Sequence, residues 1–442
     1  MADGVLSRYV RHLEAMPWAS RVGEVASFNG LVIEARGPNA ELGELCELNV
    51  GARTVQSEVV GFRDDRVLLL PYGELRGLRS GARLRATGRH LDVPVGRGFV
   101  GRVVDAFGQP LDQGPPIVPE CRYPSRANPL SPLARRDISE VLETGVGVVD
   151  SMLTMGKGQR VGVFAGSGVG KSTLLGMMAQ HTKADVIVLA LVGERGREVG
   201  DFLQHVLGEE GRKRSVVVAA TSDTPALVRV HATHAAHSMA EFYRDQGLDV
   251  LLIVDSITRL AMAQREIGLA AGEPPTTRGY PPSVFARLPS LVERGGALRS
   301  GGSITSVYSV LVEGDDMNEP VADHMRALLD GHIVLTRALA NQGRLPAVDV
   351  LQSASRLIGR LTSKAEQDLA SAVVKLMATY EASRDLVDMG AHQRGANPDL
   401  DHAVDLAPVL AGIFAQRPYV HRVRGKVVGE LAKALAQPGH NA

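Results

Sequence analysis

The chain has 442 residues, and its 49 Lys and Arg residues balance 49 Asp and Glu residues, so the formal net charge is zero. Such a length predicts two to three domains rather than one. The balanced charge excludes a protein-wide basic surface of the kind that holds nucleic acid, so we expect no nucleic-acid partner. No apolar run is long enough to span a bilayer, and Arg8 and Glu14 interrupt any signal-peptide core. The two distant cysteines, Cys46 and Cys121, have no metal-ligand spacing, and together these features predict a cytoplasmic protein.

The first predicted element is an amphipathic helix over residues 4–18, in an N-terminal segment that comprises residues 1–19. Its apolar residues recur at the spacing of one helix face, as at Leu6, Tyr9 and Leu13. Such a helix either packs on its own domain or docks on a partner or a membrane surface. Periodicity alone favours packing on its own domain.

Short strand signals follow the helix. Asn29-Gly30 separates one pair of apolar stretches, and Asp64-Asp65 separates another. Asn-Gly between apolar stretches is a strong hairpin signal. Closely spaced short strands with Gly-rich turns are typical of a small barrel. We therefore predict a β-barrel domain over residues 20–95.

A stretch rich in Gly, Pro and Arg over residues 94–136 has the character of a connection, and the pattern then changes. Continuous Val, Ile and Leu runs alternate with helical stretches, which is typical of a parallel sheet covered on both faces. We predict an α/β domain with a mostly parallel sheet over residues 96–365. Its predicted strands are residues 160–164, 186–192, 216–220, 250–254 and 304–311.

After about residue 365 the strand signals stop, and apolar residues recur at helical spacing. We predict a helical C-terminal domain over residues 366–442. Its helices are expected to be interrupted at Pro398, Pro408 and Pro418.

A phosphate-binding loop is the strongest chemical signal. The segment Ala165-Gly-Ser-Gly-Val-Gly-Lys171-Ser172 joins the first predicted strand of the α/β domain to a predicted helix over residues 173–180. Glycines let backbone N–H groups curl toward phosphate oxygens, and the helix N-terminus adds partial positive charge. Lys171 is placed to reach the β- and γ-phosphates of ATP, and the Ser172 hydroxyl to hold Mg²⁺. The general pattern begins with Gly, and Ala165 stands there instead. The predicted nucleotide-binding residues are Gly166, Ser167, Gly168, Val169, Gly170, Lys171, Ser172 and Thr173.

Two carboxylates follow predicted strands of the same sheet. Asp255 ends the run 250–254, at the sheet edge where ligands bind in open α/β folds, and is predicted to bind Mg²⁺. Glu194 follows the run 186–192, and we predict that it orients and polarises the attacking water. The alternative for Glu194 is a solvated loop carboxylate.

Two further groups of polar residues have plainer interpretations. His231, His234 and His237 recur at a spacing of three on a predicted helix, but no carboxylate or Cys completes a ligand set. We expect helix-surface or subunit-contact residues there, and no metal other than Mg²⁺. Asp315 and Asp316 form an acidic pair that a solvated turn would explain.

The phosphate-binding loop occurs together with several longer motifs, and the combination resembles the catalytic subunits of rotary ATPases. Within that superfamily the chain is most similar to the type III protein-export ATPases, and specifically to the flagellum-specific ATPases. The resemblance runs from about residue 20 into the C-terminal helices and is densest over residues 96–360. The motifs are Gly193-Glu-Arg-Gly-Arg-Glu-Val199, Asp255-Ser-Ile-Thr-Arg259, Ala263-Gln-Arg-Glu-Ile267, Gly279-Tyr-Pro-Pro-Ser283, Glu313-Gly-Asp-Asp316 and Asp330-Gly-His-Ile-Val-Leu335.

The resemblance implies a homohexameric ring of RecA-like cores, each with an N-terminal β-barrel. It supports the roles of Lys171, Ser172, Glu194 and Asp255 given above. It also implies that Arg195 and Arg259 lie near the γ-phosphate and that Arg356, in Ser353-Ala-Ser-Arg356, is an arginine finger for the neighbouring subunit. The residue pair Asp315 and Asp316 would face the central pore.

Partners are likewise implied by the resemblance. They are a stator-like regulator, a stalk-like protein, export substrates with their chaperones, and an export gate in the inner membrane. The protein would associate peripherally with that membrane, and the resemblance makes docking by residues 4–18 as plausible as packing on their own domain. Hydrolysis would release export substrates from chaperones and unfold them.

One departure from the family concerns the adenine base. The synthase β subunit has an aromatic residue where Leu345 stands here, which puts stacking of adenine at this position in doubt. Tyr419 and Phe414 are the alternative candidates.

Other functions remain to be weighed against an export ATPase. A non-catalytic ring subunit typically lacks the glutamate, and Glu194 argues against it. An RNA-translocating hexameric helicase shares the core, but the zero net charge and the absence of a basic, aromatic-rich barrel argue against it. The ATPase of a virulence injectisome shares every catalytic motif and is the close alternative, although the N-terminal segment favours the flagellar form.

Overall fold

The structure is a computed structural model that describes residues 20–436, so the predicted helix over residues 4–18 lies outside the described part. The described chain divides into two compact units. One unit contains residues 20–92 together with 225–227 and 266–274, and the second contains the remainder. No helix between residues 20 and 436 combines the length and apolarity that crossing a membrane requires.

The first unit contains a closed barrel of six antiparallel strands in the order β1-β2-β5-β4-β3-β6. Hairpin turns occur at both predicted places, between β1 and β2 and between β4 and β5. Alternate side chains point inward, and Ile33, Leu48, Leu69 and Leu84 are completely buried in the barrel core. The strands are β1 (Val22–Phe28), β2 (Ile33–Arg36), β3 (Leu45–Val50), β4 (Arg53–Arg63), β5 (Arg66–Pro71) and β6 (Arg83–Ala86).

The second unit contains a mostly parallel sheet, which confirms the predicted fold class. Its strand order is β19-β18-β12-β17-β15-β13-β14-β8, with the short β16 beside β17. All five predicted strands are present as β12, β13, β14, β15 and β17, whereas β18 and β19 were not predicted. The strands that follow the barrel are β7 (Asp92–Val95), β8 (Val103–Val104), β9 (Cys121–Pro124), β10 (Val141–Leu142), β11 (Met155–Gly156), β12 (Arg160–Ala165), β13 (Val186–Val192), β14 (Ser215–Ala220), β15 (Asp249–Asp255), β16 (Gly296–Ala297), β17 (Ser303–Leu311), β18 (Gly331–Leu335) and β19 (Val348–Ser355).

The central strands are buried on both faces. Every residue of β13 and β14 is buried, and for this reason these segments are continuous apolar runs in the sequence. The edge strand β19 runs antiparallel to β18, with Gly331 opposite Ser355 and Leu335 opposite Val348. Its last residues therefore lie at the edge of the sheet where the parallel strands begin.

The helices that the sheet requires follow its strands in chain order. They are α1 (Gly147–Met152), α2 (Lys171–His181), α3 (Gly196–Asp201), α4 (Gly208–Lys213), α5 (Ala226–Asp245), α6 (Ile257–Ala271), α7 (Pro282–Val292), α8 (Pro320–Leu328), α9 (Arg337–Asn341), α10 (Ile358–Leu361), α11 (Lys364–Ala382), α12 (Arg384–Asp388), α13 (Pro398–Phe414) and α14 (Arg424–Ala436). A π-helical segment, Phe202–Leu207, joins α3 to α4, and short 3₁₀ turns occur at Arg97–Phe99, Pro132–Ala134, Thr277–Gly279 and Glu313–Asp315.

The C-terminal segment is helical, as predicted. A capping box begins α11, in which the Ser363 hydroxyl accepts a hydrogen bond from the Glu366 N–H and the Ser363 N–H donates to the Glu366 carboxylate. Val373, Leu410 and Val427 belong to the same hydrophobic core as residues of β12 and α2. The C-terminal helices thus complete the core of the second unit.

The prediction that Pro408 interrupts a helix is wrong. Pro408 lies inside α13, and Pro398 is the first residue of that helix, where the missing N–H costs no helical hydrogen bond. Pro408 does remove one such bond. Leu406 and Leu410 are buried on either side of it, and their packing holds the helix together across this position.

The prediction that the spaced histidines lie on a helix surface or at a subunit contact is also wrong, at least for His231 and His237. Both are on α5, and they are 3% and 1% exposed. The His237 Nδ1–H donates to the Thr233 carbonyl at 2.8 Å, and its Nε2 lies 3.1 Å from the Tyr308 hydroxyl of β17. The His237 ring therefore lies against the sheet, where Tyr308 satisfies a buried ring nitrogen, and the His231 ring lies 2.9 Å from the Ser125 hydroxyl.

A buried ion pair lies beside these histidines. The Arg294 side chain is 1% exposed and donates two hydrogen bonds of 2.8 Å to the carboxylate of Glu241. The same guanidinium also donates to the Ser125 carbonyl and to the Ser238 hydroxyl. The guanidinium and the carboxylate neutralise each other and share two hydrogen bonds. Loss of one partner would therefore leave a charge buried without compensation.

We predict that Arg294→Met lowers the free energy of unfolding of the second unit by about 3–5 kcal/mol, since Glu241 then keeps a buried charge. Denaturant unfolding followed by circular dichroism measures the change. The control is Lys364→Ala, which removes an exposed pair with Asp368 and should change stability by less than about 0.5 kcal/mol. Equal effects of the two substitutions would contradict the prediction.

Candidate active site

The loop between β12 and α2 has the backbone that a phosphate cradle needs. Gly168 and Gly170 have φ angles of 78° and 94°, in the left-handed region that favours glycine. Val169 between them is buried and anchors the loop, while Ser167, Ser172 and Thr173 are exposed. A Cβ at Gly166 would meet the Asp315 carboxylate, so a larger residue there would displace that side chain. The loop N–H groups and the first turn of α2 form an anion site of the kind that ATP phosphates occupy.

Three side chains, one from a helix and two from neighbouring strands, meet beside this loop. Lys171 Nζ lies 2.5 Å from Asp255 Oδ1, with side chains that are 13% and 5% exposed. The Ser309 hydroxyl donates to the same Asp255 oxygen at 2.5 Å, and Lys171 Nζ donates to Ser309 at 3.3 Å. The structure thus brings together two predicted site residues, Lys171 and Asp255, and a third that sequence reasoning missed.

Ser309 had a sequence signal, although a weak one. It is a polar residue inside the apolar run 304–311, two positions before the end of that run. Several other Ser and Thr residues occur in the same strand, so only the strand order, with β17 between β12 and β15, singles Ser309 out.

Glu194 lies at the edge of the same cluster. Its Oε1 is 3.8 Å from Lys171 Nζ, and its side chain is 18% exposed. Its backbone is held at the ends of the neighbouring strands, because Gly193 N–H donates to the Ala220 carbonyl and Ser222 N–H to the Glu194 carbonyl. Burial raises the pKa of Glu194 to about 7, the Asp255 carboxylate adds to the rise, and the Lys171 ammonium opposes it.

Arg259 and Arg195 occupy different surroundings. Arg259 is in the first turn of α6 and packs on Gly193, where an added Cβ would lie 2.8 Å from its own Cβ. Its positive charge lowers the pKa of Glu194, so it acts on the cluster electrostatically. The Arg195 side chain is 82% exposed and lies 3.9 Å from the Glu198 carboxylate. The structure therefore places Arg259 beside Glu194 and leaves Arg195 in solvent.

Arg356 lies far from this cluster in the sheet. It follows β19, and Ser355 pairs with Gly331 at the start of β18. Its backbone N–H donates to the Asp330 carbonyl, and its guanidinium donates to the Arg326 carbonyl at 3.2 Å. The phosphate-binding loop is at the opposite edge of the sheet, where the parallel strands end. Within one chain, Arg356 and Lys171 are therefore on opposite edges.

Leu345 and Tyr419, two of the candidates for contact with the base, are exposed, and Phe414 is half-buried. Leu345 is 50% exposed and precedes a cis peptide bond to Pro346, and its carbonyl accepts a hydrogen bond from the Gln416 N–H. Phe414 lines the same apolar cavity as Leu345. Tyr419 is 71% exposed, and its hydroxyl donates to the His205 carbonyl at 3.0 Å.

The acidic pair of the loop after β17 has cationic partners. Asp316 accepts a hydrogen bond of 2.8 Å from Arg278, and Asp315 lies 3.5 Å from Arg337. Arg337 also donates to the Ser167 carbonyl of the phosphate-binding loop at 3.2 Å. The acidic pair is thus more than a solvated turn, because Asp315 contacts that loop through Arg337.

This fold and this cluster define a P-loop ATPase, and three family profiles place it more closely. The profile described as the ATP synthase alpha/beta family, nucleotide-binding domain, matches residues 145–355. The beta-barrel domain of the same family matches residues 25–88. A third profile, described as the T3SS EscN ATPase C-terminal domain, matches residues 362–432.

Relatives cover almost the whole chain. The flagellum-specific ATP synthase of Bacillus subtilis is 51% identical over 401 residues, which are 90% of this chain and 91% of the relative. The type 3 secretion system ATPase of Xanthomonas euvesicatoria is 44% identical and covers 92% of both chains. The chain therefore belongs to the ATP synthase alpha/beta family, in the branch formed by the flagellum-specific ATP synthases and the type III secretion ATPases.

Solved structures agree with this placement. The assembled ATPase EscN of the enteropathogenic E. coli type III secretion system superposes with a TM-score of 0.89 at 40% identity, over 94% of this chain and 100% of that one. EscN in complex with its central stalk EscO gives a TM-score of 0.86 at 39% identity, with the same coverage.

The raised pKa of Glu194 predicts a pH-dependent effect on stability. The folded protein holds the Glu194 proton up to about pH 7, while an unfolded chain releases it near its ordinary pKa. Ionised Glu194 therefore costs stability increasingly as the pH rises between these two values. We predict that Glu194→Gln raises the melting temperature of the nucleotide-free, Mg²⁺-free protein more at about pH 8 than at about pH 5.

Differential scanning fluorimetry at both pH values tests this. The control is Glu210→Gln. Because the Glu210 side chain is 89% exposed, its substitution should change the melting temperature by the same small amount at both pH values. An equal effect of Glu194→Gln at both pH values would show that the carboxylate titrates normally.

Proposed function

We propose that this chain hydrolyses Mg²⁺-ATP at sites shared between the subunits of a homohexameric ring, and that hydrolysis energises flagellar type III protein export. The observation that carries the hydrolytic part is the convergence of Lys171, Glu194 and Asp255 on one side of the phosphate-binding loop. A cation for phosphate, an acid–base group and a metal carboxylate are the set that phosphoryl transfer to water requires.

The proposed reaction is direct transfer of the γ-phosphoryl group to water. The water oxygen attacks the γ-phosphorus, the bond to the β–γ bridging oxygen breaks, and the proton of the water passes to the Glu194 carboxylate. A pKa near 7 suits this role, because at neutral pH the group is partly ionised and can still accept a proton readily. Lys171 would leave Asp255 and neutralise the β- and γ-phosphate oxygens.

The residues present fit Mg²⁺. Asp255 offers a buried carboxylate oxygen, and the exposed Ser172 hydroxyl begins α2 next to the phosphate-binding loop. Both are hard oxygen ligands of the kind that Mg²⁺ prefers. When bound, the ion would neutralise charge on the phosphates, while Ser172 and Asp255 would hold it. Gly166, Ser167, Gly168, Val169, Gly170 and Thr173 would supply backbone or hydroxyl contacts to the nucleotide.

Arg356 is proposed to complete the site of the neighbouring subunit. At the sheet edge opposite Lys171, it cannot serve the nucleotide of its own chain without crossing the sheet. A planar guanidinium in this position suits the charge on the equatorial oxygens of the transferring group. Arg259 would act on the same charge from within the chain, and the exposed side chain of Arg195 would have to turn toward the nucleotide to reach it.

The export role rests on the relatives. The flagellum-specific ATP synthase of Bacillus subtilis is 51% identical to this chain and the type 3 secretion system ATPase of Xanthomonas euvesicatoria is 44% identical, and this difference favours the flagellar form. The EscN complex with EscO supports a stalk-like partner in the centre of the ring. We further propose a stator-like regulator, export substrates with their chaperones, and an export gate at the inner membrane, with peripheral association of the ring there.

An injectisome role is the second candidate, because the C-terminal helices match the EscN profile. Deletion of the chain in its host, with complementation by the wild type or by Lys171→Ala, distinguishes the two. We predict loss of motility and of secreted flagellar subunits, restored only by the wild type. Normal motility with loss of injected effector proteins would transfer the proposal to the injectisome.

The ring proposal predicts complementation between inactive variants. Arg356→Ala chains retain Lys171 and Glu194, while Glu194→Gln chains retain Arg356, so a mixed ring contains some intact shared sites. We predict that each variant alone loses about 100-fold or more of its ATPase activity and that an equimolar mixture recovers a measurable fraction.

Specific activity should also rise with the concentration of the wild-type chain. Arg360→Ala is the matched control, since Arg360 is an exposed arginine four residues away, on α10. Specific activity that is independent of concentration, with Arg356→Ala fully active, would contradict the shared site and leave a monomeric ATPase.

A further inference from the structure

Ser309 has a place in the sheet that no other hydroxyl group shares among residues 20–436. Strand β17 lies between β12, which leads into the phosphate-binding loop, and β15, which ends in Asp255. Ser309 pairs with Val163 of β12, and the preceding Tyr308 pairs with Val254 of β15. Ser309 is therefore level with Asp255 and lies two residues before the level at which β12 ends, and it is completely buried.

The hydroxyl makes hydrogen bonds to two functional groups. It donates to Asp255 Oδ1 at 2.5 Å and accepts from Lys171 Nζ at 3.3 Å. Lys171 Nζ donates to the same Oδ1 at 2.5 Å. One oxygen of Asp255 thus receives both donors, and the other oxygen receives neither of them.

We infer that Ser309 is a positioning residue for the ATPase reaction: its hydroxyl holds one oxygen of Asp255 so that the other faces the ligand after Lys171 has moved to the phosphates. The inference rests on the proposed function. When Lys171 leaves, Asp255 loses its cation in a site where its side chain is only 5% exposed. The Ser309 hydrogen bond then remains on Oδ1 and keeps the carboxylate from rotating.

Alanine in place of Ser309 would remove this donor from a buried carboxylate, and the loss would be greatest once Lys171 has left. The effect should therefore appear in catalysis and in the metal requirement more than in the stability of the nucleotide-free protein. Ser309→Thr keeps the hydroxyl, so this variant should keep the catalytic activity and the Mg²⁺ requirement of the wild type.

The same two strands provide a matched control. Ser303, at the start of β17, donates to Asp249, at the start of β15, at 2.7 Å. Ser303→Ala removes a serine–aspartate hydrogen bond from the same strand pair at the edge away from the phosphate-binding loop. A merely structural role for Ser309 would make the two alanine variants alike.

The experiment compares wild type, Ser309→Ala, Ser309→Thr and Ser303→Ala in the full-length chain. We measure kcat and KM for ATP, the Mg²⁺ concentration for half-maximal binding of a fluorescent ATP analogue, analogue binding in EDTA, and the melting temperature. For Ser309→Ala we expect kcat to fall about tenfold, KM to change less than about twofold, and the Mg²⁺ requirement to rise about fivefold. Binding in EDTA should be unchanged, and Ser309→Thr should approach wild type.

Each outcome supports or overturns the positioning role of Ser309. If Ser309→Ala matches Ser303→Ala in kcat and Mg²⁺ requirement, the positioning role is overturned. Should Ser309→Ala fail to fold, Ser309→Cys, which retains the volume but donates more weakly, takes its place with the same criteria. If the wild type itself hydrolyses no ATP, the proposed function fails, and this result is distinct from an active wild type that tolerates Ser309→Ala.

Discussion

The candidate site is arranged around one ion pair, between Lys171 at the start of α2 and Asp255 at the end of β15. Both side chains are largely removed from water, so each charge needs a partner, and in this structure each has the other. A ligand that takes Lys171 alone would leave Asp255 buried and unpaired. Under the proposed roles, ATP together with Mg²⁺ would avoid this cost, because the phosphates would bind the lysine while the ion would bind the carboxylate. Under the proposed roles the pair would therefore couple the two ligands. Its two charges act on Glu194 in opposite directions, because Asp255 raises the pKa of that carboxyl, which burial already raises, and Lys171 lowers it.

The fold makes this pair possible through strand order. Lys171 and Asp255 are separated by 84 residues in the chain, and β17 lies between the strands that lead to them. Parallel strands place their carboxyl ends on one edge, so loops that are distant in sequence meet there. The antiparallel β19 has the opposite effect, and it carries Arg356 to the far edge. With the role proposed for Arg356, a complete site would take residues from two chains, in keeping with a ring.

Local signals were enough to predict much of this site from the sequence. The phosphate-binding loop is a continuous motif, and Asp255 and Glu194 each follow an apolar run, so their positions at one edge follow from parallel pairing. Ser309 was missed because its importance depends on which strands are neighbours, a property that is not local in sequence. The burial of His237 and the continuity of α13 through Pro408 were mispredicted for a similar reason, since tertiary packing on Tyr308 and around Leu410 decided both. The orientation of β19, and with it the location of Arg356, was likewise not readable from its residues.

The proposed movement of Lys171 from Asp255 to the phosphates is tested most directly by a crystal structure with ADP, Mg²⁺ and a fluoride-based mimic of the γ-phosphate. In the present structure, Lys171 Nζ is 2.5 Å from Asp255 Oδ1. We expect the bound structure to show Nζ on phosphate oxygens and out of hydrogen-bonding distance of Asp255, with Asp255 turned to the ion and still bonded to Ser309. An intact Lys171–Asp255 pair beside a bound nucleotide would contradict the proposed exchange.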